Sequence, residues 1–145
     1  MYDQPRPNES THAMTYEQML ERVRYEGAYP TRERAEEAVR TVLGALGRQL
    51  TGDERVDLAQ CLPVEAALSL TAQIPNTEQL TGWGFVKDQA ARTHVGPAVA
   101  RWDTGAVVTR LLGPDLLARI LGRLLDGYAL LFGQAQLRQP AYAAG

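Results

Sequence analysis

Apolar residues recur at intervals of three and four along most of the chain, which is the spacing of amphipathic helices. Tyr16, Met19, Leu20 and Val23 make the first stripe. Thr15 and Gln18 stand where a capping box would start it, and Gly27 and Pro30 would end it. Thr31 is placed to cap a second helix, whose Ala35, Ala38, Val39, Val42, Leu43, Leu46 and Leu50 form the longest stripe. Thr51 and Glu54 read as another capping box, followed by Val56, Leu58, Cys61 and Leu62. Pro63 suits the opening of a further helix, with Val64, Ala67, Leu68 and Thr71 expected inward. Residues 73–82 read as a linker from their Pro, Asn and Gly content. The β-branched residues are scattered and no run alternates as a strand does.

The second half follows the same plan. Trp83, Phe85, Val86 and Ala90 begin a helix expected to end near Gly96 and Pro97. Val99, Trp102, Val107, Val108, Leu111 and Leu112 follow. Gly113 and Pro114 then break the chain ahead of a broad apolar face running from Leu116 to Phe132. Laid together, the halves pair Met19 and Leu20 with Phe85 and Val86, and Val42 with Val107. After a short deletion, Asp53 pairs with Asp115, Leu58 with Ile120, Leu62 with Leu124, and Leu70 with Phe132. The expected fold is therefore all-α, with two pseudo-repeated helical units (about 15–72 and 81–132) packed around a shared core. Together they make a single helical domain over 14–132. Residues 1–13 are expected to be a flexible tail, and 133–145 a helix end and tail.

The stretches "YEQMLERV", "AEEAVRTVLGALGRQLTGDERVDLAQCLP", "FVKDQA" and "AVVTRLL" carry a family resemblance. The M-L-x-x-V opening, the A-V-x-x-V-L helix and the Q-x-L-P turn, with a degenerate second copy behind them, resemble the bacterial domain of unknown function 2267 family. The resemblance covers about 15–132. It implies a small all-helical fold and supplies no activity. Its motifs describe helix packing. The second copy departs from the pattern where Leu125 replaces the counterpart of Pro63, which leaves open whether 114–132 is two helices or one bent at Asp126 and Gly127.

Composition narrows the function classes. A net charge of −2 gives no electrostatic footprint for nucleic acid or anionic lipid. One cysteine forbids an internal disulfide, and the polar N-terminus lacks the apolar core of a secretory leader, so a cytoplasmic protein is expected. No stretch is long and apolar enough for a membrane span. Of the 15 basic residues only Lys87 is a lysine, a usage that points to a GC-rich bacterial genome.

No catalytic, cofactor or metal constellation emerges. Cys61 falls between Leu58 and Leu62, late in its helix, where the dipole opposes a thiolate. It is expected to be buried and unreactive. The two histidines, His12 in the tail and His94 at a helix end, are too few and too far apart for zinc. Arg32, Glu33, Arg34, Glu36, Glu37 and Arg40 are explained by pairs within one helix, and Asp115, Arg119, Arg123 and Asp126 form one polar stripe. "GWGF" (82–85) reads as a turn with an aromatic anchor, and Trp83 and Trp102 as core or inter-unit packing.

These features favour a non-enzymatic bacterial interaction or regulatory module with a protein partner, no nucleic-acid partner and no cofactor. The alternative is a small-molecule-binding or catalytic helical domain with a site between the units, for which His94, Arg101, Asp103 and Arg110 are the residues to place. A weaker alternative is a helix-turn-helix DNA binder using "LTGDERVDLAQCL" (50–62), against which its own acidic residues argue.

Overall fold

The fold was taken from a computed structural model, which describes residues 14–112, 114–125 and 127–132, side chains 109–111, 114 and 130 excepted. Among these residues every regular element is helical: α1 Tyr16–Gly27, α2 Arg32–Gln49, α3 Gly52–Gln60, α4 Val64–Thr71, α5 Gly82–Thr93, α6 Pro97–Leu111, α7 Pro114–Leu121 and the single turn α8 Tyr128–Leu131. The tails expected at 1–13 and 133–145 lie outside the described residues.

Helix α1 starts as its sequence predicts. Thr15 Oγ1 accepts from the Gln18 amide at 3.1 Å, and the Gln18 side chain accepts from the Thr15 amide at 3.0 Å. Thr31 and Thr81 cap α2 and α5 through their hydroxyls. Thr51 does not cap α3. The expected box fails because Glu54 is drawn away by Arg119 of α7 and Arg123 just beyond it, and the chain instead enters α3 through Gly52 in the left-handed region at φ 70°.

Helix α2 is the hub. It packs against α1, α4, α5 and α6. Its first half buries one stripe, but from Val42 to Gly47 every residue is buried, as expected of a helix enclosed on all sides. Gly47 permits the approach of α4: a Cβ there would lie 2.2 Å from the Leu70 carbonyl oxygen. The core runs from Met19, Val23, Leu43 and Leu46 through Leu58 and Leu70 to Phe85, Val107, Ile120 and Tyr128. Tyr128 stacks edge-on against Phe85 at 5.3 Å and Phe132 at 5.7 Å, and its hydroxyl donates to the Leu80 carbonyl at 3.0 Å.

The 73–81 connection is tied down on α2. The Asn76 amide donates to the Arg48 carbonyl at 2.7 Å, and the Leu80 amide to Gln49 Oε1 at 2.9 Å. The open question over 114–132 resolves to two helical segments, with Gly127 at φ 100° leading into α8. Gly127 sits so close to Gly82 that a Cβ on Gly82 would lie 2.5 Å from its backbone.

Several expected faces are rotated. In α4 the buried residues are Ala66 and Leu70, while Val64, Leu68 and Thr71 are exposed and Ala67 is half-buried. Ala66 and Leu70, one turn apart, take the buried face, and Val64 and Leu68 turn outward. Val56 is also exposed. Cys61 is not buried: it ends α3 on the open side of the α3–α4 joint. Neither tryptophan is core, Trp83 being 61% and Trp102 56% exposed.

Candidate functional site

The residues named for a site between the halves go to different places. His94 is exposed at the C-terminal cap of α5, in the left-handed region at φ 60°. Arg101 is exposed on α6, and the Arg110 side chain lies outside the description. Only Asp103 is buried at the contact of α6 with the first half, 4% exposed.

Asp103 is fully engaged there. The Tyr29 hydroxyl donates to Oδ1 at 2.5 Å, and Arg34 Nη2 donates to both carboxylate oxygens at 3.1 and 2.9 Å. The Arg34 guanidinium also lies over the Tyr29 ring, 4.9 Å from its centroid. Burial and the Asp103 carboxylate push the Tyr29 phenol above its ordinary range. Burial alone would lower Arg34, but its hydrogen bond to Asp103 and the charge there outweigh that and raise it. One residue earlier, the Trp102 indole N–H donates to the Gly27 carbonyl at 2.8 Å, with the residue still 56% exposed. The cluster fastens α6 to the turn between α1 and α2. Its chemistry is that of a closed ion pair: the carboxylate accepts three hydrogen bonds from two donors, the Tyr29 hydroxyl and Arg34 Nη2, and is 4% exposed.

A second cross-link joins α3 to α7. Arg119 reaches Asp57 at 2.5 Å and Glu54 at 3.5 Å, and Arg123 reaches Glu54 at 3.1 Å. The Asp115–Arg119–Arg123 stripe is thus partly an inter-helix contact. Spacing alone did not indicate this, because nothing local reveals which carboxylates lie across the gap. The α2 charges likewise extend beyond their own helix: Glu36 accepts from the Tyr16 hydroxyl at 2.9 Å, and Arg32 pairs with Glu21 at 3.2 Å.

Arg55, the one basic residue of α3, is turned inward. It donates to the carbonyls of Gly47, Leu50 (3.2 Å), Leu70 (3.3 Å), Thr71 (3.4 Å) and Gln73 (2.5 Å), at the C-terminal ends of α2 and α4. It therefore supplies donors to carbonyls that helix ends leave without intrahelical partners. It also removes the only cation α3 could offer to a DNA phosphate.

Among the described residues, open hollows lie on the outer faces of the first half. One, about 600 Å³, is lined by Glu33, Arg34, Glu37, Arg40 and Thr41; another, about 290 Å³, by Glu21, Arg22, Tyr25 and Glu26. The cations of the first are already paired, Arg34 with Asp103 and Glu37, and Arg40 with Glu36. Among the described residues no three His, Cys, Asp or Glu side chains gather as a metal site, and no helix is long and apolar enough to cross a membrane. Cys61, though exposed, has its thiol pushed up by partial burial and by the Asp57 charge, the opposite of nucleophile activation.

What the surface does offer is apolar. Tyr25, Val64, Leu68, Ile74, Trp83 and Trp102 are each more than half exposed. No curated protein matches the chain. The model of an uncharacterized conserved protein family, DUF2267, matches residues 16–131, and the chain belongs to that family.

Proposed function

We propose that the protein is a non-enzymatic interaction or regulatory module of a bacterial cytoplasm, acting through a protein partner. The observation that carries this reading is the large exposed apolar side chains on α1, α4, α5 and α6. Large apolar residues rimmed by polar ones mark contact surfaces, and tryptophan and tyrosine are enriched where binding energy concentrates. The ligand-site alternative draws less support, since Asp103, the buried acid at the contact between the halves, already accepts three hydrogen bonds from Tyr29 and Arg34. The test is cross-linking of the tagged full chain in its source cells, followed by mass spectrometry. A stoichiometric protein partner is expected. Recovery of the 15.9 kDa chain alone would overturn the reading.

The same proposal includes an internal duplication that supplies the scaffold, with 14–132 acting as one domain. Helix order supports it: the two halves run 12, 18, 9, 8 and 12, 15, 8, 4 residues. The only two non-glycine residues with positive φ among those described, Ala28 and His94, end α1 and α5 at the same register. The paired positions Met19 and Phe85, Val42 and Val107, Leu58 and Ile120, and Leu70 and Phe132 are all buried. Helix contacts support it as well: α1 meets α6 as α5 meets α2, while α2 crosses α6 and α3 crosses α7.

A further inference from the structure

We infer that Arg48 and Arg92, which converge on one oxygen of Asp88 where α2 packs against α5, form a binding site for a small oxyanion of the phosphate type. The inference goes beyond the interaction reading above and does not depend on it: it gives the module a small ligand in addition to any protein partner.

Two arginines share one carboxylate at this place. Arg92 Nε donates to Asp88 Oδ2 at 2.9 Å, one turn away on α5. Arg48 Nη2, from the last turn of α2, comes only to 3.9 Å of the same oxygen, beyond hydrogen-bond reach. Among the described residues, Asp88 is the sole carboxylate paired with either arginine. The cluster therefore sets two positive charges against one negative. Helix packing assembles it, since α2 belongs to the first half and α5 to the second.

The surplus charge is partly withdrawn from water. The Arg48 side chain is 15% exposed. Its Nη1 donates to Gln73 Oε1 at 3.1 Å, which fixes the guanidinium between α2 and the 73–81 connection. Burial, and then the Arg92 charge, pull Arg48 below its ordinary range, and Asp88 only partly offsets them. Arg119 shows the contrast: its hydrogen bonds to Asp57 and Glu54 hold it above that range. Arg48 is thus a half-buried cation whose counter-charge is shared with a second cation.

An oxyanion supplies what is missing. Arg92 uses only Nε on Asp88, so its two Nη groups have no partner among the described residues, and neither has Arg48 Nη2. Guanidinium donors match the oxygens of a phosphate, and a tetrahedral anion can accept from two forks that come from different helices. Arg92, 52% exposed, forms the open side of the site, and Arg48 forms its base.

The test titrates the full chain with inorganic phosphate, and with acetate and chloride at matched ionic strength, by calorimetry and by nuclear magnetic resonance of the arginine Nε–H signals. Saturable phosphate binding is expected, with the Arg48 and Arg92 signals shifting together. Acetate and chloride should bind more weakly, because neither spans two guanidinium forks. Arg92→Gln should lower phosphate affinity by about tenfold, with the melting temperature unmoved, since the side chain is largely in solvent. Asp88→Asn removes the competing carboxylate and should raise the affinity by about threefold or more. A gain of this kind is one that a damaged fold would not produce. Arg101→Gln, at an exposed position on α6, is the control and should bind as the wild type does. No saturable phosphate binding, an equal response to acetate or chloride, indifference to Arg92→Gln, or a loss of affinity in Asp88→Asn would overturn the inference.

Discussion

Replacing Arg55 by methionine keeps the aliphatic stem and removes every donor from a junction where the ends of α2 and α4 meet. Five carbonyls, those of Gly47, Leu50, Leu70, Thr71 and Gln73, receive hydrogen bonds from this one guanidinium. A hydrogen bond from a charged donor contributes roughly 1.5–3 kcal/mol, but the five contacts share one half-buried group, so they do not sum. A loss of about 3 kcal/mol is expected, a substantial share of the roughly 5–15 kcal/mol that holds a domain folded. At this chain length each kcal/mol shifts the melting temperature by about 3 °C, so Arg55→Met should melt about 10 °C lower. Arg55→Lys should recover part of that, because an ammonium keeps the charge but cannot fork between two helix ends. Arg101→Met, at an exposed position, is the control and should melt with the wild type. Thermal unfolding followed at 222 nm reads all three variants. If Arg55→Met melts within about 2 °C of wild type, the carbonyls are adequately solvated without the arginine and the reasoning fails.

Glycine substitutions should divide by what a Cβ meets. Gly47→Ala places a carbon against the Leu70 carbonyl and should cost about 2–4 kcal/mol by forcing α4 off α2, whereas Gly84→Ala meets only ordinary contacts in a helix and should stabilise by about 0.5–1 kcal/mol; denaturant titration of both would expose an inversion of that order. Cys61 should react with one equivalent of a disulfide reagent in the native protein, without denaturant, though slowly at pH 8 because its thiol is pushed up; a requirement for denaturant would contradict the exposed placement. The protein should also lose stability in alkali. Burial raises the Tyr16, Tyr29 and Tyr128 phenols above their ordinary value near 10, assisted by Glu36, Asp103 and Asp88 respectively, so the folded state keeps protons that the unfolded state releases. That stabilisation is complete below about pH 10 and falls above it, by up to about 1.4 kcal/mol per pH unit for each tyrosine. Melting temperatures that stay level from pH 9 to 11.5 would refute it.

Much of the fold was legible in the sequence because helices announce themselves locally. The capping box at Thr15, the cap at Thr31, the long α2 stripe and the break before Pro114 each depend on residues a few positions apart, and each appears in the structure. The cross-links were not legible. Tyr29 and Asp103 are 74 residues apart, and Glu54 and Arg123 are 69 apart. Their charges read locally as surface decoration, and only the packing of α6 on α1 and of α7 on α3 brings them together. The Thr51 box failed for the same reason: Glu54 met a local rule and a distant pair of arginines, and the distant pair won.

The inward faces of α3 and α4 were misplaced for a different physical reason, and that reason bears on function. Periodicity identifies a core face only when the opposite face is polar. In α4 the residues are Val, Glu, Ala, Ala, Leu, Ser, Leu and Thr, so two rotations place apolar side chains inward, and the sequence favours the one with larger residues. Packing chose the other: Gly47 lets the α4 backbone at Leu70 lie against α2, with Ala66 and Leu70 facing inward. The residues left over, Val64 and Leu68, are therefore not misassigned core. They are what remains once the core has been satisfied, on a helix with a single charged side chain. The ambiguity in the sequence and the exposed side chains on the surface are thus one observation: α4 carries more apolar surface than its own fold buries.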